Sequence, residues 1–234
     1  MLTQTEYLHV RCPRAQAASR LNAIVARSAD VLARSWLTLG IGALVCLIFV
    51  SGGATLALQL DRSQVAGGQW WRLVTGHVTH WSADHLFWDL LAFVALGVAA
   101  EVASRKKFIA TLLAGGLLIS GAVLLSEPEM QLYRGLSGLD SALFALVAAT
   151  WLIELARGRA WQAAIASGLI LAGFAAKTAY EAISGQTVFV DCGAADFIPL
   201  PIAHAIGAVT GLVVALMPLD RWQTLDAGHR AAAP

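Results

Sequence analysis

Apolar residues in this chain come in long, nearly uncharged runs, near 36 to 58, 85 to 103, 107 to 125, 137 to 156, 161 to 183 and 200 to 217. A hydrocarbon core about 30 Å thick takes roughly 20 residues of helix to cross. The pattern therefore predicts six membrane-crossing α-helices that leave no room for a separate soluble domain. The second run (Leu86 to Val102) and the third (Phe108 to Leu125) meet at a short basic turn around Ser104 to Lys107, which makes them an antiparallel hairpin. The fourth begins at Gly135-Leu136-Ser137-Gly138, the fifth covers Trp161 to Ile183, and the sixth starts at Pro201, a favoured residue in a first helical turn.

The stretches between the runs have their own character. Gln59 to Asp84 is a long connection carrying Trp70, Trp71 and Trp81, with Trp88 just beyond, an aromatic set suited to the headgroup level. It is expected to lie on or dip into the outer leaflet. In the first run, Gly40, Gly42, Gly52 and Gly53 are candidate close-packing points. Ahead of it, Leu21, Ile24, Val25, Ser28, Val31 and Leu32 recur at helical spacing while Arg20, Arg27 and Arg34 line another face. Residues 1–35 thus read as a basic amphipathic segment on the inner leaflet, or else as a floppy arm. They carry no small-residue cleavage site after an apolar run. Residues 36–217 form the membrane domain and 218–234 a polar cytoplasmic tail.

Composition agrees with this division: 58% of the 234 residues are hydrophobic, 13% are charged, and mean hydropathy is +0.67. The net charge of +1 gives no nucleic-acid signal. The placement of Lys and Arg is more informative, with twelve in the segments expected on one side and three (Arg62, Arg72, Arg134) on the other. By the positive-inside rule both termini are cytoplasmic. Cys12, Cys46 and Cys192 then fall on the cytoplasmic side, within a span and outside, so they form no disulfide framework and read as small apolar fillers.

Polar side chains at membrane depth are expensive and mark function. With the amino terminus inside, His80, His85, Asp89, Ser137 and His204 all fall toward the outer ends of their helices. A serine hydroxyl needs an adjacent base to become a nucleophile, and histidine is the usual one. Gly207 and Gly211 share a helix face with His204 in a Gly-x-x-x-Gly pattern that allows close helix contact. This favours the fourth helix as partner and Ser137 Oγ as the atom His204 meets. Lys177 and Glu181 lie four apart on one face and can pair, most simply as a neutralised pair near the outer interface. His77, His80 and His85 lack the spacing of a helical metal site, and neither metal nor cofactor is expected.

Taken in order, Trp71-Arg72, His80-x4-His85-x3-Asp89, Gly97, Glu101, Gly135-x-Ser137-Gly138 and Ala203-His204-x2-Gly207-x3-Gly211 resemble the rhomboid family of intramembrane serine proteases over about residues 65 to 217. The resemblance implies an all-α bundle of six transmembrane helices with a long interfacial loop between the first two, Ser137 as nucleophile and His204 as general base. It implies that His85, residue 89 and the Ser137 backbone N–H line an oxyanion hole near Gly138, that His80 supports them, and that Trp71, Arg72, Glu101, Gly135, Gly207 and Gly211 are structural. Gly68 to Leu73 and the Lys177, Glu181 pair look like the rhombosortase branch. That branch implies tail-anchored substrates with a Gly-Gly-type C-terminal signal, residence in a bacterial inner membrane, and a site toward the periplasm.

Two positions depart from the family pattern. Asp89 stands where rhomboids generally have Asn, so it is expected either to be protonated and donate, or to turn away and leave His85 alone. Ser141 replaces an aromatic or histidine, and its neighbour Asp140 is open to two readings, an orienter of His204 or a polar contact to a loop. A catalytically silent rhomboid-like binding protein or chaperone is the alternative function; a transporter relay lacks any inverted repeat.

Overall fold

The computed structural model describes residues 13–186 and 200–220, with side chains described from residue 22 onward. Cys12, Cys192, Asp191, Asp196 and the tail beyond residue 220 lie outside the described residues. The elements in chain order are α1 (Pro13–Arg34), α2 (Trp36–Ser51), α3 (Gly53–Leu58), β1 (Leu60–Asp61), α4 (Arg62–Ala66), α5 (Arg72–Thr75), a 3-10 turn (Gly76–Val78), α6 (Ala83–Ala103), α7 (Arg105–Ser126), β2 (Leu132–Tyr133), α8 (Ser137–Arg157), α9 (Trp161–Ser184) and α10 (Pro201–Leu216).

Among the described residues, α6, α7, α8 and α9 are each long and apolar enough to cross a membrane. A fifth candidate is the bent pair Asn22–Arg34 and Trp36–Ser51, which meet at 66°, and α10 is a shorter apolar helix. The expected first span, residues 36 to 58, is not one helix. It breaks at Gly52, whose φ of +58° is left-handed backbone that glycine adopts without strain. Nor do its glycines all pack closely, for only Gly42 approaches a neighbour, Leu90, while Gly40, Gly52 and Gly53 face open space.

Local chemistry explains where the helices begin. The Ser82 hydroxyl accepts the His85 N–H at the start of α6, and the Ser104 hydroxyl accepts the Lys107 N–H at the start of α7. Gly185, at φ +69°, ends α9 in a left-handed turn. Other ends are closed by distant side chains. Glu101 on α6 accepts the Thr38 N–H at 2.8 Å and the Leu37 N–H at 3.3 Å, so a carboxylate meets the positive end of α2. Arg62 donates to the carbonyls of Leu124, Glu127 and Met130 at the end of α7. Lys107 Nζ reaches the Ala215 carbonyl at the end of α10.

The connection from 59 to 82 is built of short elements. Leu60 pairs with Tyr133 and Asp61 with Leu132, antiparallel. Arg72 donates to the carbonyls of Leu56 and Gln59, and His77 Nε2 meets the Gly116 carbonyl and Ser120 Oγ on α7. Trp70 and Trp71 remain exposed.

α8 is the central helix, packed against α6, α7, α9 and α10. Its apolar window is 61% buried, against 11% for α9. The approach of α8 and α10 is close because Gly207 and Gly211 face it. A Cβ at Gly207 would collide with the Gly138 carbonyl, and one at Gly211 with the Ala142 carbonyl. Gly168 on α9 has nothing within 4 Å of the corresponding point. We therefore expect Gly211→Ala to force the two helices apart and cost about 1–3 kcal/mol, the range for overpacking, read as a lower SDS-unfolding midpoint, while Gly168→Ala leaves the midpoint unchanged.

Candidate active site

Ser137 is the first residue of α8 and His204 lies in the first turn of α10. The glycine contact between the helices brings their starts together, for the Ala203 carbonyl lies 3.3 Å from where a Cβ on Gly138 would stand. Ser137 and His204 are both half-buried and both open on one cavity of about 830 Å³. No hydrogen bond joins the Ser137 hydroxyl to the His204 ring, whose Nδ1 is turned to Glu181.

The cavity has an apolar side and a polar floor. Trp88, Leu91, Ala92, Ala95 and Leu96 of α6 line it together with Phe144 of α8 and Phe174 of α9, whose rings stack at 4.8 Å. The polar floor holds His85, Asp89, Tyr133, Ser137, Asp140, Lys177, Glu181 and His204.

Asp89 does not turn away but faces the start of α8. Its Oδ2 accepts the backbone N–H of Leu136 at 2.9 Å and of Ser137 at 3.1 Å, with His80 Nε2 and His85 Nε2 each at 3.2 Å. A backbone N–H can only donate, so Oδ2 is an acceptor and caps α8, which has no cap of its own. His80 is buried, and that burial pulls it below the ordinary histidine range against the opposing pull of Asp89. It serves as a neutral donor through Nε2 while its Nδ1 has no partner among the described residues.

Gly135 permits this convergence. Its φ of +124° is disfavoured for other residues, and a Cβ there would stand 2.8 Å from His85 Nε2. Tyr133 is buried just ahead of it, and burial raises its hydroxyl above the usual tyrosine range.

The histidine of α10 finds its partner on α9. His204 Nδ1 lies 3.1 Å from Glu181 Oε2, and Lys177 Nζ lies 2.8 Å from the same oxygen. The Lys177, Glu181 pair is thus one part of a three-member cluster rather than a self-contained neutralised pair. Both carboxylate oxygens of Asp140 are buried and have no hydrogen-bond partner among the described residues. Ser141 donates to the Ser137 carbonyl at 2.8 Å. Sequence spacing missed Glu181 as a partner of His204, although a carboxylate inside an apolar run was a signal that something beyond Lys177 needed it.

Trp71, Arg72 and Glu101 lie away from the cavity lining. Arg72 and Glu101 hold helix ends, as described above, and Trp71 precedes α5.

A family profile for the Rhomboid domain matches residues 67–221. Among curated proteins, the Rhomboid protease GluP of Bacillus subtilis (strain 168) is 27% identical over 132 residues, covering 53% of this chain. The match takes in 25% of that protein, so the chain spans about a quarter of its curated relative's length.

Replacing Asp89 tests the cap. Asp89→Ala leaves two buried N–H donors unmet and is expected to cost about 1–3 kcal/mol, measured by SDS unfolding. Asp89→Asn keeps an acceptor oxygen for both N–H groups and is expected to cost less than about 1 kcal/mol.

Proposed function

The chain belongs to the rhomboid family, and from that premise we propose that it is an intramembrane serine endopeptidase with Ser137 as nucleophile and His204 as general base. The observation that carries this reading is the joint opening of Ser137 and His204 on one cavity inside the helix bundle. The protein is integral to the membrane, as its family and its apolar helices indicate.

In the proposed reaction, Ser137 Oγ attacks the scissile carbonyl and passes its proton to His204, which gives it to the departing amine. Water then resolves the acyl-enzyme, with the same histidine taking the water's proton. The negative end of the reacting carbonyl develops beside the Ser137 N–H and His85, at the amino-terminal end of α8 where the helix dipole is positive. The apolar wall from α6 and α9 suits a helical substrate segment arriving from the bilayer.

The proposal extends to topology and substrate. α2 and α10 complete six crossings, the 59 to 82 connection sits at the outer interface, and both termini are cytoplasmic with the cavity toward the periplasmic face of a bacterial inner membrane. The substrates are membrane-anchored proteins with a Gly-Gly-type C-terminal tail, as in the rhombosortase branch. One observation favours a silent binding protein instead: the Asp89 carboxylate already occupies the Ser137 N–H that an oxyanion needs.

Cleavage of a Gly-Gly tail-anchored protein in liposomes separates the two readings. The native chain is expected to release a fragment, with Ser137→Ala and His204→Ala each reducing the rate at least about a thousandfold, in line with loss of members of a catalytic unit. A stable complex without any fragment from the native chain would establish the binding reading.

A further inference from the structure

We propose that Glu181 is a positioning residue for His204, so that the site works as a Ser137, His204, Glu181 triad, with Lys177 setting how much of the carboxylate's charge the histidine feels. This rests on the reading of Ser137 and His204 given above and adds a third member from α9.

Glu181 is 1% exposed, and its Oε2 meets His204 Nδ1 at 3.1 Å and Lys177 Nζ at 2.8 Å. A carboxylate oxygen accepts, so His204 Nδ1 carries the proton and Nε2 is left with the lone pair a general base needs. The contact fixes the tautomer and restrains ring rotation, which is what a carboxylate does for a catalytic imidazole. It also joins α9 to α10 near the cavity.

Among the described residues, the other groups around His204 do not supply this: Asp140, facing from α8, has both oxygens without a hydrogen-bond partner. Asp89 and His85, across the cavity on α6, are engaged with each other and with the start of α8. On α7, Lys107 reaches the far end of α10 at the Ala215 carbonyl.

Charge determines the sign of the effect. A negative charge beside an imidazole favours its cationic form, so a reaction that needs the base form should have its pH profile moved to lower pH when the Glu181 charge is removed. Lys177 opposes Glu181, so removing Lys177 acts the other way. Labelling by a fluorophosphonate probe reads this without knowledge of the substrate: a Ser137 Oγ–P bond forms, the P–F bond breaks, fluoride leaves and the serine proton passes to His204.

The purified full chain in detergent is labelled across a pH series beside Ser137→Ala, Glu181→Gln, Glu181→Ala and Lys177→Met. We expect the midpoint of the labelling rate to move down by about one pH unit in Glu181→Gln and up in Lys177→Met, a size typical of one close charge. The plateau rate should fall at least about tenfold in Glu181→Ala and be partly rescued in Glu181→Gln, which keeps an acceptor oxygen for Nδ1–H. Labelling that depends on Ser137 but keeps one midpoint in every variant would overturn the role of Glu181 alone. Should Glu181→Gln fail to fold, an unmoved midpoint in Lys177→Met overturns it equally. Absence of Ser137-dependent labelling in the native chain would remove the serine and histidine reading together with this one.

Discussion

The contact between α8 and α10 has no slack. Gly207 and Gly211 lie so near the Gly138 and Ala142 carbonyls that neither position can carry even a methyl group without moving a backbone. In lipid no hydrophobic driving force holds helices together, so association depends on close packing and on hydrogen bonds. The short distance places the start of α10 beside the start of α8, and with them Ser137 and His204. Every other feature of the cavity is arranged around that pair of helix starts.

The remaining helices are held by charged side chains that reach helix ends. Glu101 takes the N–H groups at the start of α2, Asp89 those at the start of α8, and Arg62 and Lys107 the carbonyls at the ends of α7 and α10. Unpaired backbone groups cost several kcal/mol where no water can reach them, at about the scale of a lost hydrogen bond in an apolar medium. A buried charge is equally costly when alone. Bringing the two together satisfies both, which explains why the few charges of an apolar chain sit at the junctions between helices. The same logic governs the cluster of Lys177, Glu181 and His204, where each charge is offset by its neighbours.

Helix extents were legible because apolar runs bounded by Ser, Gly and basic residues leave little freedom: Leu86 to Val102 became Ala83–Ala103 and Trp161 to Ile183 became Trp161–Ser184. The α8 and α10 contact could also be read, since Gly207 and Gly211 stand on one helix face. Failures came where a side chain answers a group distant in sequence. The break at Gly52 was hidden inside a uniformly apolar stretch. Glu181 and His204 are separated by 23 positions, so periodicity on one helix could offer Glu181 only Lys177. The acceptor role of Asp89 is not legible in the sequence because it comes from backbone N–H groups 47 and 48 positions away, which no side-chain pattern records.

Asp89 also ties the architecture to the chemistry. In the proposed reaction, the Ser137 N–H that the carboxylate caps is the same donor a tetrahedral oxyanion would use, so capping and catalysis would draw on one group. An amide at this position would cap with its oxygen and turn a donor toward the cavity, whereas a carboxylate has only acceptors to offer. On the proposed reading, the side-chain donors near Oδ2 are His80 and His85, whose Nε2 atoms both lie 3.2 Å from it. A developing oxyanion close to Ser137 would compete with the carboxylate for those same imidazoles and for the backbone N–H. On the proposed reading, relief of that competition, by a small rotation of Asp89 or by transfer of a histidine proton toward the new charge, is part of reaching the transition state. The Glu101 cap of α2 involves no such competition, because that helix end lies outside the cavity lining.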